Sequence, residues 1–225
     1  MRVGIIGSGH IGETLGRLLT AAGHEVGLSH ASGPESLRDV VARLGPEACA
    51  MTVEEAANFG DVVVLALPWR SREDLPAERL AGKVVVDATN PFAPDGSVYD
   101  LGDSTSSEEV AKVLPGARLV KAFNTLRARD LASRGAPDQQ PDQRVAVFLA
   151  GDDDDAKLLV ASLVRDVGFA PVDTGELREG GRLQQPGSPL SLRTLAARDA
   201  EILLQRTAEG ERLGPQGGEP SRPGR

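Results

Sequence analysis

The sequence holds one cysteine, Cys49, among 225 residues. An intramolecular disulfide is therefore impossible, and a disulfide-stapled scaffold is excluded. Cys49 itself, in "EACAMT", reads as a small core residue. Long apolar runs are missing too. No stretch reaches the roughly 18 apolar residues of a membrane span. The opening "MRVGIIGSG" has too short an apolar run for a secretory signal, and the chain is expected to be cytoplasmic. Nor is there a surplus of positive charge. The 25 Lys and Arg stand against 33 Asp and Glu, a formal net charge of -8. A basic footprint for nucleic acid is absent, and an anionic membrane surface would repel the chain. Neither is expected as a partner.

What remains is an ordinary soluble composition, 40% hydrophobic and 26% charged. The length suits one large domain, or one domain with a small appendage. Apolar runs alternate with helical patterns. Strands are expected at 2–7, 24–29, 48–52, 61–67, 83–89, 117–124, 144–151 and 169–175. Helices are expected at 10–23, 33–45, 107–116, 152–168 and 191–206. Thr52 with Glu55 forms a capping box ahead of a further helix. The near-continuous runs "DVVVLAL" and "KVVVDAT" suit parallel strands covered on both faces. The fold class is therefore α/β, a Rossmann-like doubly wound, mostly parallel sheet with a small C-terminal extension. Residues 1–175 are read as the nucleotide-binding domain and 176–206 as a small cap and helix. Residues 207–225, rich in Gly, Pro and charge, are read as a disordered tail.

"GSGHIG" places Gly7, Gly9 and Gly12 at the G-x-G-x-x-G spacing, after a strand and at the start of a helix. In that context the glycines permit a tight turn, close approach to a pyrophosphate, and close helix–strand packing. The helix N-terminus then supplies free amides to the phosphates. Ser8, His10 and Ile11 fall inside the same turn. The loop after the second strand, "LSHASGPES", meets the adenosine ribose in such domains. No acid stands there before Glu35. Ser29, His30 and Ser32, with Arg38 one turn on, favour a 2′-phosphate, and hence NADP over NAD. At the ends of later strands, Leu67, Pro68 and Trp69, then Asn90 and Asn124, are candidates for the nicotinamide side. The asparagines can orient its amide or ribose, and Trp69 can stack or pack. "GDDDDAK" reads as a helix start, and no metal site is expected.

Seven stretches taken together, "GSGHIGETLGRLLTAAGHEVGLS", "GPESL", "GDVVVLALPW", "AGKVVVDATNPF", "STSSEEVAKVLPGARLVKAFNT", "FLAGDDDDAK" and "QQPGSPL", resemble the NADPH-dependent reductases of the deazaflavin coenzyme F420. They are similar also to the cytoplasmic oxidoreductase domain of six-transmembrane metalloreductases. The resemblance spans about residues 1–206 and implies a Rossmann domain, often dimeric, that moves hydride between NADPH and a deazaflavin or flavin. Family members commonly carry Ser-Arg in the second-strand loop, where this chain reads Ala31-Ser32-Gly33.

The strand ends carry no His, Lys or Tyr suited to general-acid work apart from Lys121, which lies inside its strand. Reduction of a carbonyl or imine wants a proton donor at the acceptor atom. Ring-to-ring hydride transfer needs mainly stacking and positioning. No catalytic side chain is therefore assigned. The acceptor is expected to be a large planar redox coenzyme, F420 or a flavin, in a cleft walled by residues 180–190. A small NAD(P)H-dependent carbonyl or imine reductase using Tyr99 or His10, or a non-catalytic NADP-sensing or redox-partner module, are the alternatives. Apolar residues in "ARLVKAFN" and "GSPLSL" suggest a homodimer.

Overall fold

Every residue of Val62–Leu65 (β4) and Val84–Asp87 (β5) is buried, because helices cover both faces of the sheet that these strands join. The computed structural model describes residues 1–209. Strands β1 (Arg2–Ile6), β2 (Glu25–Ser29) and β3 (Ala48–Met51) form one wing, and β6 (Arg118–Lys121), β7 (Ala146–Gly151) and β8 (Ala170–Asp173) extend the other. The eight strands lie in the order β3-β2-β1-β4-β5-β6-β7-β8. All neighbours are parallel except β6 and β7, so β7 and β8 run against the first six strands.

The helices are α1 (His10–Ala21), α2 (Arg38–Leu44), α3 (Val53–Phe59), α4 (Ala77–Leu80), α5 (Ser106–Val113), α6 (Ala128–Arg134), α7 (Asp154–Asp166), α8 (Leu177–Gln184) and α9 (Ala197–Ala208). Side chains alternate between two layers. Val62, Val64, Val84 and Val86 pack with Leu15 and Leu19 of α1 and Val160 of α7. Val63, Leu65 and Val85 pack on the opposite side with Trp69, Leu80 and Val110. A third cluster joins Phe148 and Val172 to Leu190 and to Ala197 and Ala200 of α9. The capping box at Thr52 and Glu55 is formed, and Thr105 and Glu108 make a second one.

Four expectations are corrected. Cys49 is exposed, because β3 is the edge strand. The final helix begins at Ala197 rather than at 191, after a turn in which Leu192 has φ 54°. It runs to Ala208, past the expected boundary at Arg206, and the rest of the expected tail, 210–225, lies outside the described residues. Leu119, Val120 and Leu190 are buried within the chain, against the exposure expected of their stretches, whereas Leu192 is 51% exposed. Three helices, α4, α6 and α8, escaped the sequence reading. In α8, "LREGGRLQ" carries two glycines that disfavour a helix by about 1 kcal/mol each. Packing overrides that cost: a Cβ on Gly180 would stand 2.5 Å from Thr174 Oγ1, so the helix approaches the β8 loop only with glycine there.

Candidate cofactor and substrate cleft

β1 ends at Ile6 and α1 begins at His10, which leaves three residues for the glycine turn. Gly7 takes φ 111° and donates its amide to the carbonyl of Ser29 at 3.0 Å. A Cβ on Gly7 would come 2.3 Å from the Ala66 carbonyl oxygen, and one on Gly12 would come 1.9 Å from that of Gly7. Gly9 is different: nothing lies within 4 Å of its Cβ position. Two of the glycines thus serve the chain's own packing, while Gly9 faces open space. No side chain caps α1 at Gly9, so its first-turn amides stay free for an anion. These features fit a dinucleotide pyrophosphate.

A cleft crosses the carboxyl ends of β1, β4 and β5, where the strand order reverses. Its smaller part, about 310 Å³, lies between the glycine turn and the β2 loop, with Gly7, Ser8, Gly9 and His30 on one side and Leu67 and Pro68 on the other. Its larger part, about 540 Å³, runs from Ile11 past Leu67 and Pro68 to Trp69, Asn90 and Phe92. Leu67 and Pro68 are shared and form the waist. Among the described residues, no His, Lys, Tyr, Cys or carboxylate lines the larger part, and Arg70 is the one charged residue that does.

Asn90 enters the larger part of the cleft from the β5 end. Its Nδ2 donates to the Asn124 carbonyl at 2.9 Å. Asn124 stands behind it, buried, with Nδ2 donating to Asn90 Oδ1 at 3.3 Å and to the Gln184 carbonyl at 3.0 Å. Asn124 follows Phe123, a non-glycine residue at φ 64°. Asn90 is thus a cleft residue and Asn124 is its support.

Residues 2–91 match the family described as NADP oxidoreductase, coenzyme F420-dependent. A hypothetical protein from Sinorhizobium meliloti is 38% identical in its crystal structure, with a TM-score of 0.79 over 87% of this chain and 95% of that one. A candidate F420-dependent NADP reductase from Arthrobacter sp. FB24 is 25% identical, with a TM-score of 0.69 over 93% of this chain and 95% of that one. The chain thus resembles the coenzyme F420-dependent NADP oxidoreductases, through their family model over residues 2–91 and through the Arthrobacter structure over most of its length. Metalloreductase STEAP3 of Rattus norvegicus is 30% identical over 179 residues, 78% of this chain. The chain spans 34% of the length of that relative. Among the described residues no helix is long and apolar enough to cross a membrane.

The resemblance to NADP-dependent proteins bears on the β2 loop. His30 lines the smaller part of the cleft, and its Nδ1 accepts the Ser32 amide at 3.1 Å. Ser29 does not reach the cleft. It is fully buried and its hydroxyl donates to the Ile5 carbonyl at 3.0 Å, so the expected phosphate contact is corrected to a strand-to-strand bond. Ser32 and Arg38 are exposed and neither lines the cleft; Arg38 pairs with Glu35 instead. The His10 side chain lies in a separate depression with Glu13, Thr14 and Arg17, away from the nicotinamide side. Only its backbone stands at the helix N-terminus. Trp69 is 5% exposed, with its Nε1 donating to the Ser106 carbonyl and the Arg72 guanidinium 3.8 Å over its ring. It packs, and shows the cleft little of its ring. Tyr99 rests against Trp69 at 5.4 Å and does not line the cleft. Residues 180–190 do not line it either; Gln184 contributes from behind, through Asn124.

The sequence reading passed over a buried charge pair. Asp87 and Lys121 occupy matching positions on β5 and β6, and both are 0% exposed. Asp87 Oδ1 accepts from the Thr89 amide and hydroxyl, while Oδ2 accepts from Ser107 and, at 3.3 Å, from Lys121 Nζ. Lys121 donates further to Ser106 Oγ, Ser107 Oγ and the Thr89 carbonyl. The network fixes the Thr89–Asn90 turn to α5. A signal was present: Asp87 ends a run of three valines, and Lys121 follows Leu119 and Val120.

The acid run after β7 has structural work. Asp153 caps α7 through the Ala156 amide and takes both Nε and an Nη of Arg118 at 2.6 and 2.7 Å. The Arg118 guanidinium holds the Asp153 carboxyl far below the usual carboxylate range.

Proposed function

We propose that the protein is an NADPH-dependent reductase of a deazaflavin or flavin, with the adenosine half of NADPH in the smaller part of the cleft and both rings in the larger. The observation that carries this reading is the lining of the larger part, which among the described residues holds no His, Lys, Tyr, Cys or carboxylate to serve as a general acid. When bound, the nicotinamide supplies the hydride, the acceptor ring takes it up with a proton from solvent, and NADP⁺ remains. The chain's residues position and desolvate. The free amides of α1 hold the pyrophosphate, Leu67 and Pro68 wall the waist, and Asn90, anchored by Asn124, orients the nicotinamide amide. A carbonyl or imine reductase finds no support, since the two candidate acids, His10 and Tyr99, both stand outside the cleft.

The test is an acceptor screen with purified protein and NADPH. Oxidised F420 or a flavin is expected to lose its visible absorption as NADPH is consumed, with ketones and imines unreduced. Tight NADPH binding with no oxidation by any acceptor would overturn the reading in favour of a sensor module.

A further inference from the structure

The segment after β4 is a 3₁₀ helix, Trp69–Asp74. Residues three apart eclipse in such a helix, so its side chains form three rows. Trp69 and Arg72 make the inward row, ring against guanidinium at 3.8 Å. Arg70 turns to the larger part of the cleft. Ser71 and Asp74 form the third row, and both line the smaller part. Their neighbours there, Ile6, Val53, Leu67 and Leu75, are apolar. Asp74 makes no ion pair among the described residues, although Glu73 beside it pairs with Arg72. A carboxylate and a hydroxyl three residues apart thus face a mostly apolar slot, whose other polar side chains are Ser8 and His30, and among the described residues neither has a hydrogen-bond or ion-pair partner.

We propose that Ser71 and Asp74 read the amino edge of the adenine ring. This rests on the reading above that the smaller part holds the adenosine half. The apolar walls suit a flat purine. The charge excludes the other anionic portion of the ligand, because a carboxylate beside the 2′-phosphate would repel it. The edge of adenine matches the pair. Its exocyclic amine donates to an acceptor such as Asp74, and its ring nitrogen accepts from a donor such as the Ser71 hydroxyl. Hypoxanthine reverses both: it presents a carbonyl where adenine has the amine, and an N–H where adenine has the bare nitrogen. Asp74 would then face an oxygen with no proton between them. A site built to bond one pattern rejects the other strongly.

The experiment compares binding of NADPH with that of its 6-deaminated analogue, reduced nicotinamide hypoxanthine dinucleotide phosphate, by calorimetry. The wild-type protein is expected to bind the analogue about tenfold or more weakly. In Asp74→Asn the amide can turn either end to the ring, and the ratio should fall towards one. Ser71→Ala should weaken NADPH and narrow the ratio in part. Asp74 is exposed, so the variant should keep the wild-type thermal midpoint. Equal wild-type affinity for the two dinucleotides overturns the inference and leaves the NADPH assignment standing. A gain in NADPH over NADH affinity in Asp74→Asn overturns it too, by placing the carboxylate at the ribose. Binding of neither dinucleotide would sink the cofactor assignment itself.

Discussion

Asp87 and Lys121 face each other across adjacent central strands, 3.3 Å apart and sealed from solvent. Taking one away strands the other's charge in the core. Lys121→Met is therefore expected to destabilise the protein by about 3 kcal/mol, while Asp87→Val with Lys121→Met together should recover much of the loss. Denaturant unfolding of the three proteins checks this. A single variant as stable as wild type would show that the serines and Thr89 alone satisfy the remaining group.

Gly9 and Gly12 should separate binding from folding. Gly9 has an ordinary extended backbone, φ -70° and ψ -175°, with open space at its Cβ position. Gly9→Ala should fold as stably as wild type and lose NADPH affinity by about tenfold or more, because the new methyl sits where the pyrophosphate approaches. Gly12→Ala drives a methyl into the Gly7 carbonyl, and the overpacking should cost about 3 kcal/mol or more. Thermal midpoints with and without NADPH distinguish the two.

Ser29→Ala removes one buried hydroxyl-to-carbonyl bond, worth about 1 kcal/mol of stability. NADPH affinity should stay within about twofold of wild type, since the side chain never reaches the cleft. His30→Ala, in the cleft wall, should weaken NADPH with little change in stability. A large affinity loss in Ser29→Ala would restore the hydroxyl as a cofactor contact.

Arg118 and Asp153 give a pH signature. The Asp153 carboxyl titrates well below its unfolded value of about 3.9, so the pair stabilises the fold above that value and the contribution fades as pH falls below it. The gap in thermal midpoint between wild type and Arg118→Met should be constant from about pH 6 to 8 and should shrink below about pH 4. A gap that widens in acid would contradict the assignment.

The strands were legible because buried parallel strands need uninterrupted apolar runs, and "VVVL" and "VVVD" show them plainly. The glycine turn was legible for a related reason: backbone contacts at Gly7 and Gly12 leave no room for any other residue. Ser29 was misjudged because burial on both faces of β2 erases the alternation that would reveal which way its hydroxyl points. Trp69 and Asp74 were hard to place because the three-residue row of a 3₁₀ helix leaves no clear hydrophobic period in six residues. Helix α8 hid behind glycines that exist for close packing. The direction of β7 could not be read, since "AVFLAG" is apolar in either orientation.

That direction decides where the protein keeps its densest negative charge. Because β7 runs backwards, it ends opposite Val120, and the chain continues down past the start of β6, where Asp153 meets Arg118. A parallel β7 would have delivered the carboxylates of Asp152 to Asp155 to the rim beside Asn90. Four residues of strand separate the two ends by about 13 Å, more than the roughly 8 Å over which physiological salt lets an exposed charge be felt. A polyanionic cofactor diffusing towards the glycine turn is thus spared the strongest repulsion that this acidic chain could offer, and reversing one strand is enough to arrange it.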